Sequence, residues 1–268
     1  MDANQKLQKK FDDGFHICVG LDTDIKKIPG FLLSCKNPIL EFNKIIIDST
    51  FKHAASYKIN FAFYELYGSK GFDDISQTLE LIPNDVLTIA DAKRGDIGNT
   101  SQMYAQSIFN YFNFDAVTLN PFMGFDSLSP FLEYPDKLNF ILALTSNNGA
   151  KDFEKLMLSN NKFLFQHVIQ TVNGWNTNNN CGIVFGATNV KELEENIQSF
   201  NSMPILLPGV GAQGGSLEDV ANTFSLHKKK NYLVNISRAL LYLDNSDNLS
   251  ISVAKAIKDL NSIIQIYI

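Results

Sequence analysis

Two carboxylates and two cations lie together in one short segment of the chain. Asp91, Lys93, Arg94 and Asp96 directly follow the apolar run 86–90, whose length and β-branched content predict a buried strand. Residues two apart in a strand point to the same side, so Asp91 and Lys93 would face together if strand geometry continues to Lys93. Such a group is suited to acid–base and electrostatic chemistry. A charged loop in solvent is the alternative for this segment taken alone.

The elements that must position these residues come from an alternation of strands and helices. Eight apolar runs predict strands at 16–21, 56–61, 86–90, 116–119, 140–145, 182–186, 204–207 and 232–236. Amphipathic helices are predicted at 39–54, 73–81, 100–112, 125–132, 162–173, 190–200, 217–224 and 251–264. This pattern predicts an α/β protein, one (β/α)8 TIM-barrel domain over residues 1–268. A doubly wound sheet is the alternative.

Two local predictions follow from polar residues. Asn99, Thr100 and Ser101 are N-cap candidates for the helix after the third strand. The asparagine-rich segment 173–180 is expected to form a surface loop before the sixth strand, and the connection 146–181 is long enough to carry an extra turn of helix.

Composition limits the classes of protein to be considered. Hydrophobic residues make up 45% and charged residues 19% of the chain, which suits a globular protein with a large core. The net charge of -5 argues against a general binder of nucleic acid or anionic membranes. Residues 1–13 hold no apolar segment of a signal peptide, and no run is long enough to span a membrane.

Cysteine and histidine usage predicts neither disulfides nor a metal centre. The cysteines are widely separated and odd in number, and the four histidines form no metal-ligand motif. We therefore expect buried thiols in a reducing cytoplasm and no requirement for a metal. The cysteines are Cys18, Cys35 and Cys181.

Polar residues stand at the end of each predicted strand. In a barrel, the carboxyl ends of the strands converge on the active site, and burying unpaired charge there without function would cost free energy. These positions therefore predict a site on one rim. They are Asp22, Lys58, Asn60, Asp91, Lys93, Asn120, Thr145 to Asn147, Gly186 to Asn189, Pro208, Gly209, Ser237 and Arg238.

A glycine-rich segment, 209–215, follows the seventh strand and fits the pattern GxGxxG. A dinucleotide site is disfavoured because the segment lies late in the chain and the next strand ends in Ser237 and Arg238 rather than an acid. The glycines instead suit close approach of backbone to one phosphate, and Arg238 can add a bidentate contact. We expect a phosphorylated small molecule, with a simple tight turn as the alternative.

Segment 91–100, Asp-Ala-Lys-Arg-Gly-Asp-Ile-Gly-Asn-Thr, resembles the DxKxxDIxxT signature of the orotidine 5′-phosphate decarboxylase family. Seven further segments resemble the longer bacterial branch of that family, in the same order along the chain. They are 19–22, 57–65, 118–124, 145–147, 184–188, 207–213 and 235–238.

The resemblance implies decarboxylation of orotidine 5′-monophosphate to uridine 5′-monophosphate, the last step of pyrimidine synthesis, with no metal and no cofactor. It implies a catalytic network of alternating charge, with Lys93 as proton donor to C6, formed by Lys58, Asp91, Lys93 and Asp96. It also implies substrate contacts from Asp22, Asn60, Ile97, Thr100, Asn120, Ser146, Pro208, Gly211, Gln213, Ser237 and Arg238. Ser237 departs from the glycine that many relatives carry there, which weakens the inference of a backbone contact.

The resemblance also implies a homodimer with shared sites. Asp96, Ile97 and Thr100 match positions that enter the site of the partner subunit in that family. Two other functions stay open: a sugar-phosphate decarboxylase or synthase of the same superfamily that uses a divalent metal, and a non-catalytic nucleotide-phosphate binding protein. Glu65 is the only acid just past the second strand that could serve the first.

Overall fold

The computed structural model describes residues 1–211 and 214–268. Eight parallel strands pair in sequence order, and β8 pairs with β1, so the sheet closes into a barrel. The predicted (β/α)8 TIM barrel is confirmed, and closure excludes the doubly wound sheet. The strands are β1 (Ile17–Gly20), β2 (Ser56–Asn60), β3 (Leu87–Arg94), β4 (Ala116–Leu119), β5 (Leu138–Leu144), β6 (Cys181–Phe185), β7 (Ile205–Leu207) and β8 (Tyr232–Ile236).

Helix α1 (Ala3–Asp12) precedes the first strand, and the other helices follow strands and cover the outside of the barrel. These other helices are α2 (Pro38–Thr50), α3 (Phe61–Glu65), α4 (Ser69–Leu81), α5 (Gly98–Gln106), α6 (Ser129–Leu132), α7 (Leu164–Trp175), α8 (Val190–Asn196), α9 (Leu217–Leu226), α10 (Arg238–Leu241) and α11 (Leu249–Gln265). Short 3-10 turns precede or extend several of them, and α5 continues as a π-helical turn, Ser107–Tyr111.

The first helix, α1, was not predicted from the sequence. Asp2 and Gln5 form a reciprocal capping box at its start, and its buried face packs against the barrel interior through Ala3, Leu7 and Phe11. Only three apolar side chains face inward along an otherwise polar and charged segment, so the helical pattern is weak in the sequence. The helix closes the amino-terminal end of the barrel, opposite the predicted site.

Three other local predictions need correction. Helix α5 begins at Gly98 with Ile97 as its N-cap, so Asn99, Thr100 and Ser101 lie inside the helix and none of them caps it. The Ser101 hydroxyl is buried and donates to the Ser127 carbonyl oxygen at 2.6 Å instead. Segment 173–180 is not wholly a surface loop, since Asn180 is buried and its amide donates to the carbonyl oxygen of Leu132. Of the free thiols, Cys35 is only half-buried.

Apolar side chains fill the barrel and form the floor beneath the predicted site. Because successive strand residues point to opposite faces, one set packs against the helices and the other fills the interior. The interior set, all buried, is Cys18, Ala55, Leu87, Ile89, Ala116, Leu138, Phe140, Val184, Leu206 and Leu233.

His16 is a buried titratable group at the amino-terminal end of the barrel. Its ring stacks between Phe11 and Tyr232, with centroids 5.0 Å and 4.2 Å away. Nδ1 lies 3.0 Å from the Tyr232 carbonyl oxygen, which can only accept, so the proton resides on Nδ1. Burial lowers the pKa of His16 to about 4, although this hydrogen bond opposes the effect.

Acidification is therefore expected to destabilise the fold through His16. In the unfolded chain the pKa returns to about 6.5, so between these values the unfolded state binds more protons and the free energy of unfolding falls as pH falls. The loss at pH 4 relative to pH 7 is on the order of 3 kcal/mol. Chemical denaturation of wild type and His16→Phe across this range measures it. An unchanged pH slope in His16→Phe would contradict the assignment.

Candidate active site

A cavity of about 300 Å³ opens at the carboxyl ends of the strands. Strand ends from around the barrel contribute to its wall, as the polar residues at those ends predict. The structure brings together at this cavity Asp22, Lys58, Asn60, Asp91, Lys93, Ser146, Pro208, Ser237 and Arg238.

Four charged side chains of alternating sign form the centre of the site. The Asp91 carboxylate lies between two ammonium groups, with Oδ2 2.8 Å from Nζ of Lys58 and Oδ1 2.6 Å from Nζ of Lys93. Nζ of Lys58 also lies 3.5 Å from Oδ1 of Asp22. Lys58 is almost fully buried, whereas the Lys93 side chain is 51% exposed and faces the cavity. The ammonium group that can contact a ligand in the cavity is therefore that of Lys93.

These neighbours decide the protonation states. Burial by itself would raise the pKa of Asp91, but the ammonium groups of Lys58 and Lys93 outweigh it and hold the pKa well below its usual range. Burial would lower the pKa of Lys58, but the Asp22 and Asp91 carboxylates outweigh it and raise the pKa above its ordinary value. Both groups are therefore charged at neutral pH.

Lys93 reaches Asp91 through a bulge and not through regular strand alternation. Strand β3 pairs with β4 at Ala90 and again at Arg94, so that the three residues between them face Thr118 alone. Lys93 has a φ of 48°, in the left-handed region that non-glycine residues rarely adopt. Strand β3 continues through Lys93, but with this bulge in it, and the bulge directs the ammonium group of Lys93 onto Asp91.

Thr118 is a site residue that the sequence analysis missed. Its hydroxyl donates to Oδ1 of Asp91 at 3.0 Å and accepts from the Lys93 backbone N–H at 3.0 Å. It also lines the cavity, as does Asn235 on β8. Both Thr118 and Asn235 are polar residues inside an apolar run, at positions of the strand that face inward. That pattern in the sequence could have identified them.

Glu154 is a third residue that the sequence did not indicate, and it supports the part of the cavity wall that follows β5. Its carboxylate accepts from the Thr145 backbone N–H at 2.6 Å and from the Thr145 hydroxyl at 2.9 Å. Oδ1 of Asn147 lies 2.7 Å from the same hydroxyl oxygen. Glu154 thus fixes the segment that carries Ser146 from the side away from the cavity. The backbone of Ser146 also packs closely on Gly186, where a Cβ would lie 2.7 Å from the Ser146 backbone nitrogen.

The predicted phosphate end combines a tight turn with a cation. Gly209, with a φ of 105°, lines the cavity together with Val210 and Arg238. The turn closes through backbone hydrogen bonds between Gly215 and both Gly209 and Gly211, at 3.0 Å each. Within residues 1–211 and 214–268, Arg238 forms no ion pair. Its guanidinium is therefore available to an anionic ligand.

Some predicted residues do not line this cavity. Asp96 accepts a hydrogen bond from the backbone of Ile97, and Ile97 and Thr100 are exposed. Asn120 instead accepts from the Phe122 backbone N–H and so caps a 3-10 turn. Gly211 lies in the turn but not on the wall, and Gln213 lies outside the described residues.

Known proteins match this chain over most of its length. The family model described as "Orotidine 5′-phosphate decarboxylase / HUMPS family" matches residues 16–248. A Porphyromonas gingivalis protein named orotidine 5′-phosphate decarboxylase is 46% identical over 241 residues, covering 89% of this chain and 87% of that protein. The chain belongs to the orotidine 5′-phosphate decarboxylase / HUMPS family. Relatives with this name are carboxy-lyases.

Solved structures of the family have the same barrel. Leishmania donovani OMP decarboxylase superimposes with a TM-score of 0.84 at 31% identity, covering 99% of both chains. Leishmania donovani UMP synthase gives a TM-score of 0.85 at 33% identity, covering 98% of this chain but 57% of that one.

The described residues contain neither a membrane-spanning helix nor a group of metal ligands. No helix in 1–211 or 214–268 combines the length and apolar character needed to cross a bilayer. In the same residues, no three His, Cys, Asp or Glu side chains are grouped so as to hold a metal ion. Glu65, the acid considered for a metal-dependent relative, forms an ion pair with Arg94.

Proposed function

We propose that this protein decarboxylates orotidine 5′-monophosphate to uridine 5′-monophosphate without a metal or organic cofactor, and that Lys93 protonates C6. The observation that carries the proposal is the Asp91 carboxylate held between the ammonium groups of Lys58 and Lys93 at the cavity. Membership of the family supports the same substrate and, through it, a role in the last step of pyrimidine synthesis.

The reaction explains the need for a fixed ammonium group. The bond from C6 to the carboxylate breaks, carbon dioxide leaves, and the electron pair stays on C6 in the plane of the ring, where no π-system can accept it. Nζ of Lys93 can stabilise this charge electrostatically and then transfer a proton to C6. Lys93, left neutral, regains a proton from solvent before the next turnover, which its 51% exposed side chain allows.

Asp91 and Lys58 set the charges around that step. An ionised Asp91 beside the substrate carboxylate disfavours the reactant more than the transition state, in which that negative charge moves onto C6. Lys58, buried against Asp91 and Asp22, keeps Asp91 ionised. Thr118 fixes the carboxylate orientation from the other side.

The remaining wall suits the rest of the nucleotide. Arg238 and the turn that begins at Gly209 are proposed to hold the phosphate, Asp22 the ribose, and Ser146 the pyrimidine amide. A phosphate remote from C6 contributes binding energy that is realised in the rate. Pro208, between the two regions, lines the cavity and is proposed to contact the base.

We further propose a homodimer in which Asp96, Ile97 and Thr100 complete the site of the partner subunit. Their positions support this, because Asp96 lies outside its own chain's cavity and Ile97 is an exposed apolar side chain, 58% accessible. Association with a second copy would bury that surface.

Mixed dimers test the shared site. Lys93→Ala and Asp96→Ala chains are each expected to be inactive, but a mixed dimer would contain one site free of both defects. With free exchange at equal concentrations, about a quarter of all sites are intact, so about a quarter of wild-type activity should return. Turnover before and after exchange measures it. No recovery, with mixed dimers demonstrated by mass spectrometry, would contradict the shared site.

The function itself is tested by ultraviolet absorbance. Purified protein with EDTA should consume the orotate chromophore of orotidine 5′-monophosphate and yield uridine 5′-monophosphate. Binding without turnover would instead indicate a nucleotide-phosphate binding protein. Activity only after a divalent metal is restored, on a sugar phosphate, would indicate the metal-dependent alternative.

A further inference from the structure

Arg94 is a charged residue of the 91–96 segment that the proposed chemistry does not use. Its side chain does not line the cavity. The guanidinium forms an ion pair with Glu65 at the end of α3, and its Nη1 donates to the Ala92 carbonyl oxygen at 3.3 Å. One side chain thus joins α3 to the bulge that carries Lys93.

Two aromatic rings fix the same guanidinium. Its Cζ lies 5.6 Å from the centroid of the Phe61 ring in α3 and 5.1 Å from that of the Tyr104 ring in α5. Both distances are within the range of cation–π attraction. The Arg94 side chain is only 25% exposed. The guanidinium is therefore held by contacts from α3, α5 and β3. A planar group with five donors can make all of these contacts at once, whereas an ammonium group cannot.

The Arg94 backbone ends the bulge. Pairing with β4 resumes at Arg94 opposite Leu119, and the Arg94 carbonyl oxygen accepts from the Asn120 N–H at 2.9 Å. Gly95 allows this closeness, since a Cβ there would lie 2.7 Å from the Asn120 carbonyl oxygen. Arg94 therefore holds the chain on both sides of Lys93: through Ala92 before it and through β4 after it.

Lys93 needs such support because its backbone is in an unfavourable region. A φ of 48° costs free energy for a side chain with a Cβ and persists only where surrounding contacts enforce it. The Lys93 N–H has one such contact, the Thr118 hydroxyl at 3.0 Å. The exposed ammonium group has one anionic partner among the described residues, Asp91. Relaxation of the bulge would move that group off the position where a proton must be delivered.

We propose that Arg94 is a positioning residue that holds Lys93 in its left-handed conformation for proton transfer. This inference rests on the proposed decarboxylation. It predicts that Arg94 acts on the chemical step and not on substrate binding, because its side chain touches no part of the cavity. Misplacement of a reacting group by a fraction of an ångström to one ångström is sufficient for a large loss of rate.

The kinetic test uses Arg94→Met, which keeps the length of the side chain and removes its charge and donors. We expect kcat to fall by roughly 10- to 100-fold while KM stays within about threefold of wild type. Arg94→Lys, with charge but no planar fork, should recover part of kcat. Glu65→Gln should lower kcat by less than Arg94→Met does. It replaces Arg94→Met as the test variant if Arg94→Met does not fold.

Lys6→Met is the matched control. It removes a partly buried ion pair, Lys6 with Asp115 at 2.7 Å, at the opposite end of the barrel. We expect it to lower stability and leave kcat unchanged. A kcat for Arg94→Met within about twofold of wild type, or equal losses in Lys6→Met, would overturn the proposal.

Crystal structures of wild type and Arg94→Met give a readout that does not depend on activity. We expect the variant to lose the positive φ of Lys93 or the contact between its ammonium group and Asp91. An unchanged Lys93 in the variant would overturn the positioning role even if kcat fell. A wild-type protein that does not turn over orotidine 5′-monophosphate would refute the proposed function alone, while the two structures would still decide whether Arg94 holds the bulge.

Discussion

Replacement of Lys93 by alanine should abolish decarboxylation while leaving the fold intact. The variant loses both the ammonium charge nearest the developing carbanion and the proposed proton donor, so the rate should fall by roughly 10⁴-fold or more. The side chain is 51% exposed and packs in no core, so thermal unfolding should change little. Single-turnover absorbance assays, with enzyme in excess over orotidine 5′-monophosphate, measure the loss.

Lys191→Ala provides the matched comparison. Lys191 is an exposed lysine of α8 whose Nζ lies 3.8 Å from Glu195, and it does not line the cavity. It should keep wild-type turnover. Near-wild-type kcat in Lys93→Ala would refute the assigned proton donor, whereas loss of activity with loss of folded protein would show that the assay reports stability.

Asp91→Asn should have the second large effect, on both rate and stability. The change keeps the shape of the side chain but leaves Lys58 buried with only Asp22 as a carboxylate partner, 3.5 Å away. Removing one member of a buried ion pair destabilises a fold by about 3 kcal/mol or more. The rate should fall by roughly 10³-fold or more, since the charges around C6 are no longer in balance.

Measurement separates these two effects. Denaturant unfolding gives the loss of stability, and kcat per folded molecule gives the loss of rate. Asp85→Asn is the control, because Asp85 forms an exposed pair with Lys9 at 3.6 Å that should contribute little. If Asp91→Asn lost stability but kept kcat, Asp91 would serve the fold alone and the proposed mechanism would be wrong.

The sequence predicted the barrel because every strand carries a short apolar run. β4 and β8 have the predicted bounds, and the other strands differ at their ends. The reason is physical: inward and outward faces of a barrel strand are both buried, so each strand is apolar throughout and stands out from the amphipathic helices between strands. Helix α1 escaped prediction because it buries only one narrow face.

The site was predicted less completely, for a related reason. Polar residues at strand ends are visible in the sequence, so Asp22, Lys58, Asp91 and Lys93 could be grouped from their positions along the chain. Thr118 could not, since its role depends on which residue of β4 faces the bulge. The sequence also could not predict that Asp96 lies outside the cavity, because the turn after Arg94 sets the direction of the Asp96 side chain.

The chain by itself therefore determined the class of fold and the types of residue at the rim of the cavity, since both follow from local patterns of polarity. The tertiary structure decided how those residues meet. Lys93 reaches Asp91 through a left-handed bulge opposite Thr118, with Arg94 fixed between α3 and α5. Such an arrangement arises from register and packing between distant segments, which alternation along one strand cannot encode.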